Sequence, residues 1–109
     1  MNENEVIKGL ANRVSAIAKL EKELVEAETV MRRLELKLND QGVTVVLGGV
    51  HHSVTTIRYG QYGGVSSEVS PGASDLHALC LKLQRSHIIS LKSRIEGQRF
   101  KLKKEVAQV

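Results

Sequence analysis

The sequence predicts a mainly helical α+β protein in which two long antiparallel helices, resembling a coiled-coil hairpin, are joined by a small glycine-rich antiparallel β-hairpin or meander. Two long stretches repeat apolar residues at helical spacing, and the stretch between them holds most of the nine glycines and the only proline. We expect one domain over residues 1–109, with helix at 6–40, β structure at 43–69 and helix at 74–107. A chain of 109 residues with this layout buries only a thin core, which favours an oligomer.

The first helix is predicted from an apolar seam that is interrupted only by Arg13. The members of this seam occupy the a and d positions of a heptad repeat: Val6, Leu10, Ile17, Leu20, Leu24, Ala27, Met31, Leu34 and Leu38. Such spacing is typical of a coiled coil. Further apolar residues widen the stripe: Ile7, Val14, Ala18, Val25 and Val30. The added width indicates more than one neighbouring helix and predicts a homo-oligomer. We expect the helix to end at Asn39 to Gly42, where Gly42 allows a left-handed backbone.

The insert between the helices is predicted to be β structure. Val43 to Leu47 and Val50 to Tyr59 are rich in β-branched residues, and Gly48-Gly49 separates them. Two glycines between two such runs are typical of a tight hairpin turn, which requires positive φ angles. Residues 65–69 are expected to add a short third strand.

The second helix is predicted to begin near Ser74-Asp75, which supply an N-cap and a first-turn acid. Its apolar pattern changes phase between Leu83 and Ile88. We therefore expect either that the apolar face rotates at this point or that the helix bends.

Charge is distributed unevenly along the chain. The net charge is +4, but residues 1–40 carry seven basic and eight acidic side chains, whereas residues 75–109 carry eight basic and three acidic ones. The second helix is therefore the basic one and is expected to attract anions or an acidic surface. A single cysteine, Cys80, excludes an intrachain disulfide and favours a reducing cytoplasm. The polar, acidic N-terminus predicts no signal peptide, and no apolar run predicts a membrane span.

The composition offers little support for catalysis, and we expect neither an enzyme nor a bound cofactor. His51 and His52 are adjacent on a predicted strand and therefore point to opposite faces, while His77 and His87 lie ten residues apart on a helix. These spacings predict no metal site. Cys80 lies on an apolar stripe and is interpreted as a core residue rather than a nucleophile.

The residues best suited to a ligand are basic, aromatic or imidazole side chains of the insert and the second helix. Those of the helix are seven residues apart and so share one line along it. We predict that these side chains bind the phosphates and base of a small anionic ligand: His51, His52, Arg58, Tyr59, Tyr62, Arg85, Lys92 and Arg99.

Three functions remain open at this stage. The first is a non-enzymatic oligomeric protein that sequesters a small anion such as a signalling nucleotide. The second is a scaffold, inhibitor or chaperone subunit that binds another protein through its helices or hairpin tip. The third is nucleic-acid binding along the basic helix, although no helix-turn-helix, zinc-finger or basic-zipper pattern is present.

Two resemblances in architecture accompany these hypotheses. The order helix, β-hairpin, helix is similar to that of β-type prefoldin subunits, which implies a chaperone whose coiled-coil ends hold unfolded protein. The chain also resembles small phage-encoded proteins that sequester cyclic or ADP-ribose-type signalling nucleotides in symmetric helical oligomers. That likeness implies nucleotide sequestration, and neither resemblance assigns a role to a particular residue.

Overall fold

A computed structural model describes residues 2–39, 41–59, 64–67, 69 and 72–108. It contains two long helices and five short strands, numbered in chain order: α1 (Glu3–Glu35), β1 (Leu38–Asn39), β2 (Thr44–Leu47), β3 (Val50–Ser53), β4 (Thr56–Tyr59), β5 (Gly64–Ser67) and α2 (Ala73–Ala107). The predicted mainly helical class, with two long helices and a small antiparallel two-stranded sheet, is confirmed. The described helices include none that combines the length and apolarity needed to cross a membrane.

The chain divides into two compact units. The first unit comprises Met1–Glu26 and His87–Val109, and the second comprises Ala27–Ser86. Both helices contribute a segment to each unit.

The first unit consists of two antiparallel helical segments. Arg13 bonds to Glu105, whereas Glu21, later in α1, bonds to Arg99, which is earlier in α2. Its core is formed by aliphatic side chains that are at most 8% exposed: Ile17, Leu20, Leu91 and Ile95.

The second unit combines the remaining helical segments with the strands. Its buried side chains come from both helices and from the link between β3 and β4: Ala27, Met31, Leu34, Val54, Thr55, Ala73 and His77. Two of its helical contacts again run antiparallel, since Ala27 accepts a bond from Gln84 and Leu34 contacts His77.

The first helix ends at Glu35, five residues earlier than the sequence predicted. Leu38, expected in the apolar seam of that helix, instead lies in β1, which pairs in parallel with β4. The backbone N–H of Thr56 donates to the carbonyl of Lys37 at 2.7 Å. This bond and the parallel pairing give the backbone after Glu35 hydrogen-bond partners in β4, so it is extended there rather than helical. The heptad pattern could not reveal these partners because they are distant in sequence.

The predicted hairpin is formed by β2 and β3, with Leu47 opposite Val50 and Thr44 opposite Ser53. Its two turn residues have the positive φ angles expected of a tight turn, +55° at Gly48 and +84° at Gly49. A chain of β-branched residues and two conformationally free glycines is enough to specify this element locally.

The predicted second strand, 50–59, is not continuous. Val54 and Thr55 interrupt it, and β3 and β4 belong to different sheets. Both interrupting residues are buried, at 3% and 1% exposure. The N–H of Val54 donates to the carbonyl of Val43 at 2.9 Å, and the N–H of Val43 donates to the Thr55 hydroxyl at 2.7 Å. These bonds close the base of the hairpin and redirect the chain. The predicted third strand corresponds to β5, Gly64–Ser67, which pairs antiparallel with β4.

The apparent change of phase in α2 coincides with polar residues in its buried seam. Nine of the buried or half-buried residues of α2 continue the alternation of three- and four-residue steps, and several of them are polar: His77, Leu81, Gln84, Ile88, Leu91, Ile95, Gln98, Leu102 and Glu105. Leu79 and Leu83, which the apolar pattern included, are 51% and 61% exposed. Because some positions of the buried seam are polar, the apolar residues alone do not show which positions of α2 belong to it.

Candidate functional site

In the first unit, Arg13 occupies a seam position and is held by two side chains of α2. Its Nη2 atom donates to Glu105 Oε1 at 2.6 Å, its Nε donates to the same oxygen at 3.2 Å, and its Nη1 donates to Gln98 Oε1 at 2.7 Å. The hydrogen bond to Glu105 raises the pKa of Arg13, against a smaller lowering by desolvation. The guanidinium of Arg13 is therefore engaged by side chains of its own unit.

A cavity of about 450 Å³ lies beside this ion pair. Its described lining combines apolar and charged residues of α1 with two polar residues at the other end of the chain: Glu5, Val6, Gly9, Leu10, Arg13, Glu105 and Gln108. A Cβ added at Gly9 would meet nothing within 4 Å, so the glycine leaves this wall open. The lining has two carboxylates and one guanidinium that is already neutralised by Glu105, which makes the cavity unsuitable for an anion.

In the second unit, the buried His77 marks the end of α1. Its Nε2 atom lies 2.5 Å from the carbonyl oxygen of Leu34. Because a carbonyl only accepts, Nε2 must carry the proton and donate. Leu34 is in the last turn of α1, where carbonyls have no partner within the helix. His77 therefore caps α1 from α2.

A second cavity, of about 230 Å³, is lined by His77 and residues from three other segments of the same unit. The described lining comprises Lys37, Val54, Thr56, Val69, Ala73, Ser74 and His77. Lys37 is the one formally charged residue of this described lining, and none of these seven side chains is a carboxylate. Ala73 and Ser74 are the first two residues of α2.

This cavity has the chemistry of a small-anion site. Lys37 supplies a positive charge, and the hydroxyls of Thr56 and Ser74 are available donor types. The first turn of α2 adds backbone N–H groups that have no partner within the helix, together with the positive end of the helix dipole. Val54 and Val69 form apolar walls that lower the local dielectric and so strengthen these interactions. Asp75 follows in the same turn but is not among the lining residues.

The residues predicted from the insert are not gathered at either described cavity. His51 is exposed and His52 half-buried on β3, and neither contributes to the described linings. Arg58 and Tyr59 belong to β4, but their side chains lie outside the described part of the chain. Tyr62 also lies outside the described residues. Their predicted roles remain predictions.

The three predicted cations of α2 are divided between the units. Arg85 is exposed in the second unit, whereas Lys92 and Arg99 are exposed in the first. Arg99 donates from Nη2 to Glu21 Oε1 at 2.7 Å, so its charge is already balanced within the chain. Neither described cavity is lined by any of these cations.

The sequence did not single out Lys37, Thr56, Ser74 or His77 as ligand-binding residues. These four residues come from the end of α1, from β4 and from the start of α2, so no local motif could connect them. The available signal was a lysine two residues after the end of α1, which lines the same cavity as the start of α2 only once the chain has folded.

Other candidate chemistry is sparse. The described residues contain no group of three histidine, cysteine or acidic side chains placed to hold a metal ion. Cys80 is half-buried and reduced, and desolvation raises the pKa of its thiol, which disfavours the reactive thiolate. The chain matches no protein-family model, no curated protein and no solved structure, so its function must be inferred from its own residues.

Proposed function

We propose that the chain is a non-enzymatic, oligomeric binding protein that sequesters a small anionic ligand of the nucleotide class and holds a phosphate group of that ligand in the cavity of the second unit. The observation that carries this proposal is the lining of that cavity, which combines Lys37, two hydroxyl-bearing residues and the first two residues of a long helix.

Charge and geometry support a phosphate in particular. Phosphate presents several acceptor oxygens, and a helix N-terminus presents several N–H donors in one direction. Lys37 adds a point charge to the lining, and the described lining has no carboxylate to repel the ligand. His77 is engaged by Leu34 through Nε2, so it supports the wall rather than acting as a proton donor to the ligand.

The size of the cavity limits what it can enclose. A volume of about 230 Å³ is below the range of roughly 300–1,000 Å³ that is common for whole drug-sized ligands. We therefore infer that the phosphate enters the cavity and that the remainder of a nucleotide lies outside it. Stacking of the base by Tyr59 or Tyr62, and contacts from Arg58, are parts of the sequence prediction that extend this proposal.

The ligand class is tested first by native mass spectrometry of protein purified from cells, followed by denaturation. A nucleotide-sized adduct that is lost on denaturation supports the proposal. If no adduct is found, the apo protein is titrated calorimetrically with inorganic phosphate and with ADP. We expect ADP to bind, and failure of both anions to bind would reject the proposed cavity.

The site is tested by replacing the one formal charge of its described lining, Lys37. Lys37→Gln should weaken ADP binding by about tenfold, the usual order for one charge-assisted contact. The matched control is Lys19→Gln, because Lys19 is also exposed but belongs to the first unit. Equal binding by Lys37→Gln and the wild type would show that the ligand binds elsewhere.

A second candidate function is protein binding through the tip of the hairpin. Val46, Leu47 and Val50 are 54%, 54% and 58% exposed at this tip. Exposed aliphatic side chains grouped on a turn are typical of a contact surface. Under this alternative, replacing Leu47 by Ser would abolish capture of a protein partner and leave ADP binding unchanged. Loss of ADP binding in that variant would instead connect the tip with the ligand.

A further inference from the structure

The first unit has a seam on the surface of α1, apolar except for Glu21, in addition to its buried one. The members of this surface seam each follow a buried-seam residue by one position: Ile7, Ala11, Val14, Ala18, Glu21 and Val25. Ile7, Val14 and Val25 are 57%, 53% and 61% exposed. Steps of four and three residues indicate that the surface is shaped for another helix.

The corresponding positions of α2 in this unit form a seam of different chemistry. They also follow the buried-seam residues by one position: Ile89, Lys92, Glu96, Arg99, Lys103 and Val106. The two ends are apolar, with Ile89 67% and Val106 54% exposed, and the middle is charged. We call these two sets of residues the α1 surface seam and the α2 surface seam.

The two surface seams lie on one side of the helix pair. Each is rotated from its buried seam by the same turn of about 100°, which is the angle between consecutive helical residues. Each rotation follows the right-handed sense along its own chain direction. Because the two segments are antiparallel and face each other, these rotations turn both surface seams toward the same side of the unit.

The bonds within the unit also show which residues are level with one another. Arg13 reaches both Gln98 and Glu105, and is therefore level with the turn between them. Val25 is twelve residues after Arg13, and Ile89 is about twelve residues before the turn between Gln98 and Glu105. Because the helices run in opposite directions, Val25 is level with Ile89. The same count places Ile7 within about two residues of the level of Val106, or roughly 3 Å at a rise of ~1.5 Å per residue.

We infer that the α1 surface seam is covered by the α2 surface seam of a second copy of the chain, around a two-fold axis parallel to the helices. Such an axis leaves heights along the helices unchanged, so the pairing between chains has the same register as the pairing within each chain. Val25 then meets Ile89 of the second copy, and Ile7 meets Val106 of the second copy. The apolar ends of the two seams coincide.

The charged middle of the α2 surface seam is matched as well. Glu21, which already accepts a bond from Arg99 of its own chain, is level with Lys92 of the second copy, so an acidic side chain has a basic one opposite it there as well. Ala11 and Ala18 are level with Lys103 and Glu96 of the second copy, and alanine leaves room for the stems of these long side chains. Pairing of two α2 segments would instead place Lys92, Arg99 and Lys103 against their own copies. Charge complementarity therefore favours α2 of the second copy as the occupant.

This inference does not rest on the proposed ligand, because the anion cavity belongs to the second unit and the seams to the first. It predicts a dimer, or an even-numbered assembly of such dimers, measured by sedimentation equilibrium. A monomer at all concentrations up to the millimolar range would overturn it.

The decisive variants are two identical substitutions at exposed alanines. Ala18→Glu places a carboxylate level with Glu96 of the second copy and should raise the dimer dissociation constant by about tenfold or more. Ala16→Glu is the control, because Ala16 is exposed two residues away and lies outside the surface seam. Equal weakening by both substitutions, or no weakening by Ala18→Glu, would contradict the inference. Circular dichroism should show unchanged helix content in both variants.

Two further measurements fix the partner. The double variant Ala18→Glu/Glu96→Lys should recover the dimer, since the new charges attract across the two chains. Disulfide formation should occur when Val25→Cys chains are mixed with Ile89→Cys chains, each in a Cys80→Ser background. Disulfides found only among Val25→Cys chains would mean that α1 meets α1, and would overturn the assignment.

Discussion

Arg13 in the first unit and His77 in the second are both polar residues in a buried helix seam, but they are satisfied in different ways. Arg13 is bound by the side chains of Glu105 and Gln98, and its own side chain keeps 27% exposure. His77 is 8% exposed and bonds to a backbone carbonyl at the end of α1. One group is matched to particular side chains, and the other to a position in the backbone.

This difference separates two roles for buried polar groups. A side-chain partner can be exchanged by mutation, so the Arg13 cluster makes helix pairing depend on which residues stand at 98 and 105. A backbone carbonyl of the last helical turn is present whichever side chain that residue carries. The bond from His77 therefore depends on where α1 ends and not on the identity of a partner side chain. We expect the His77 contact to contribute more stability, because its acceptor has no alternative partner in the buried interior.

The largest effect is expected for His77→Ala. The substitution leaves the carbonyl of Leu34 buried without its donor and opens a cavity, at a combined cost of about 2–3 kcal/mol in the free energy of unfolding. Urea unfolding at one fixed protein concentration measures this change. His77→Gln restores an N–H at nearly the same place and should recover at least half of the loss. Equal destabilisation by both variants would show that volume, not the hydrogen bond, matters at this position.

A smaller effect of opposite sign is expected for the double variant Arg13→Leu/Glu105→Leu. Replacing a partly buried ion pair by apolar residues is often neutral or stabilising, so the midpoint of thermal unfolding should be unchanged or rise by about 2–5 °C. The wild-type midpoint should also fall as salt screens the pair, and the variant should lose that salt dependence. A large fall in the midpoint of the double variant would mean that the cluster is needed for stability rather than for specificity.

The sequence predicted the elements that are determined locally and missed those determined by contacts between segments. The helical spacing of apolar residues identified both helices, and Gly48-Gly49 identified the hairpin turn, because both signals depend on neighbouring residues. The end of α1 was placed too late because Leu38 fits the heptad yet finds a partner in β4. The register of α2 was obscured because His77 and Gln84 occupy buried positions that apolar periodicity does not count. The candidate site was missed for the same reason, since Lys37 and Ser74 meet only after folding.

The smallest effect should separate two glutamines that occupy the same buried seam of α2. Gln84 donates from Nε2 to the carbonyl of Ala27 at 2.8 Å, and that carbonyl lies inside α1, where a helical N–H already serves it. Gln84→Leu should therefore change the free energy of unfolding by no more than about 0.5–1 kcal/mol, with stabilisation the expected sign.

Gln98→Leu is the matched substitution, made in the first unit. It removes the oxygen that accepts from Arg13 Nη1 at 2.7 Å, and no backbone partner replaces it there. We therefore expect Gln98→Leu to lower stability while Gln84→Leu does not, and the two urea midpoints to move in opposite directions. Movement of both midpoints in the same direction would contradict this expectation. It would show that the type of hydrogen-bond partner, side chain or backbone carbonyl, does not decide how a glutamine in the buried seam affects the stability of the protein.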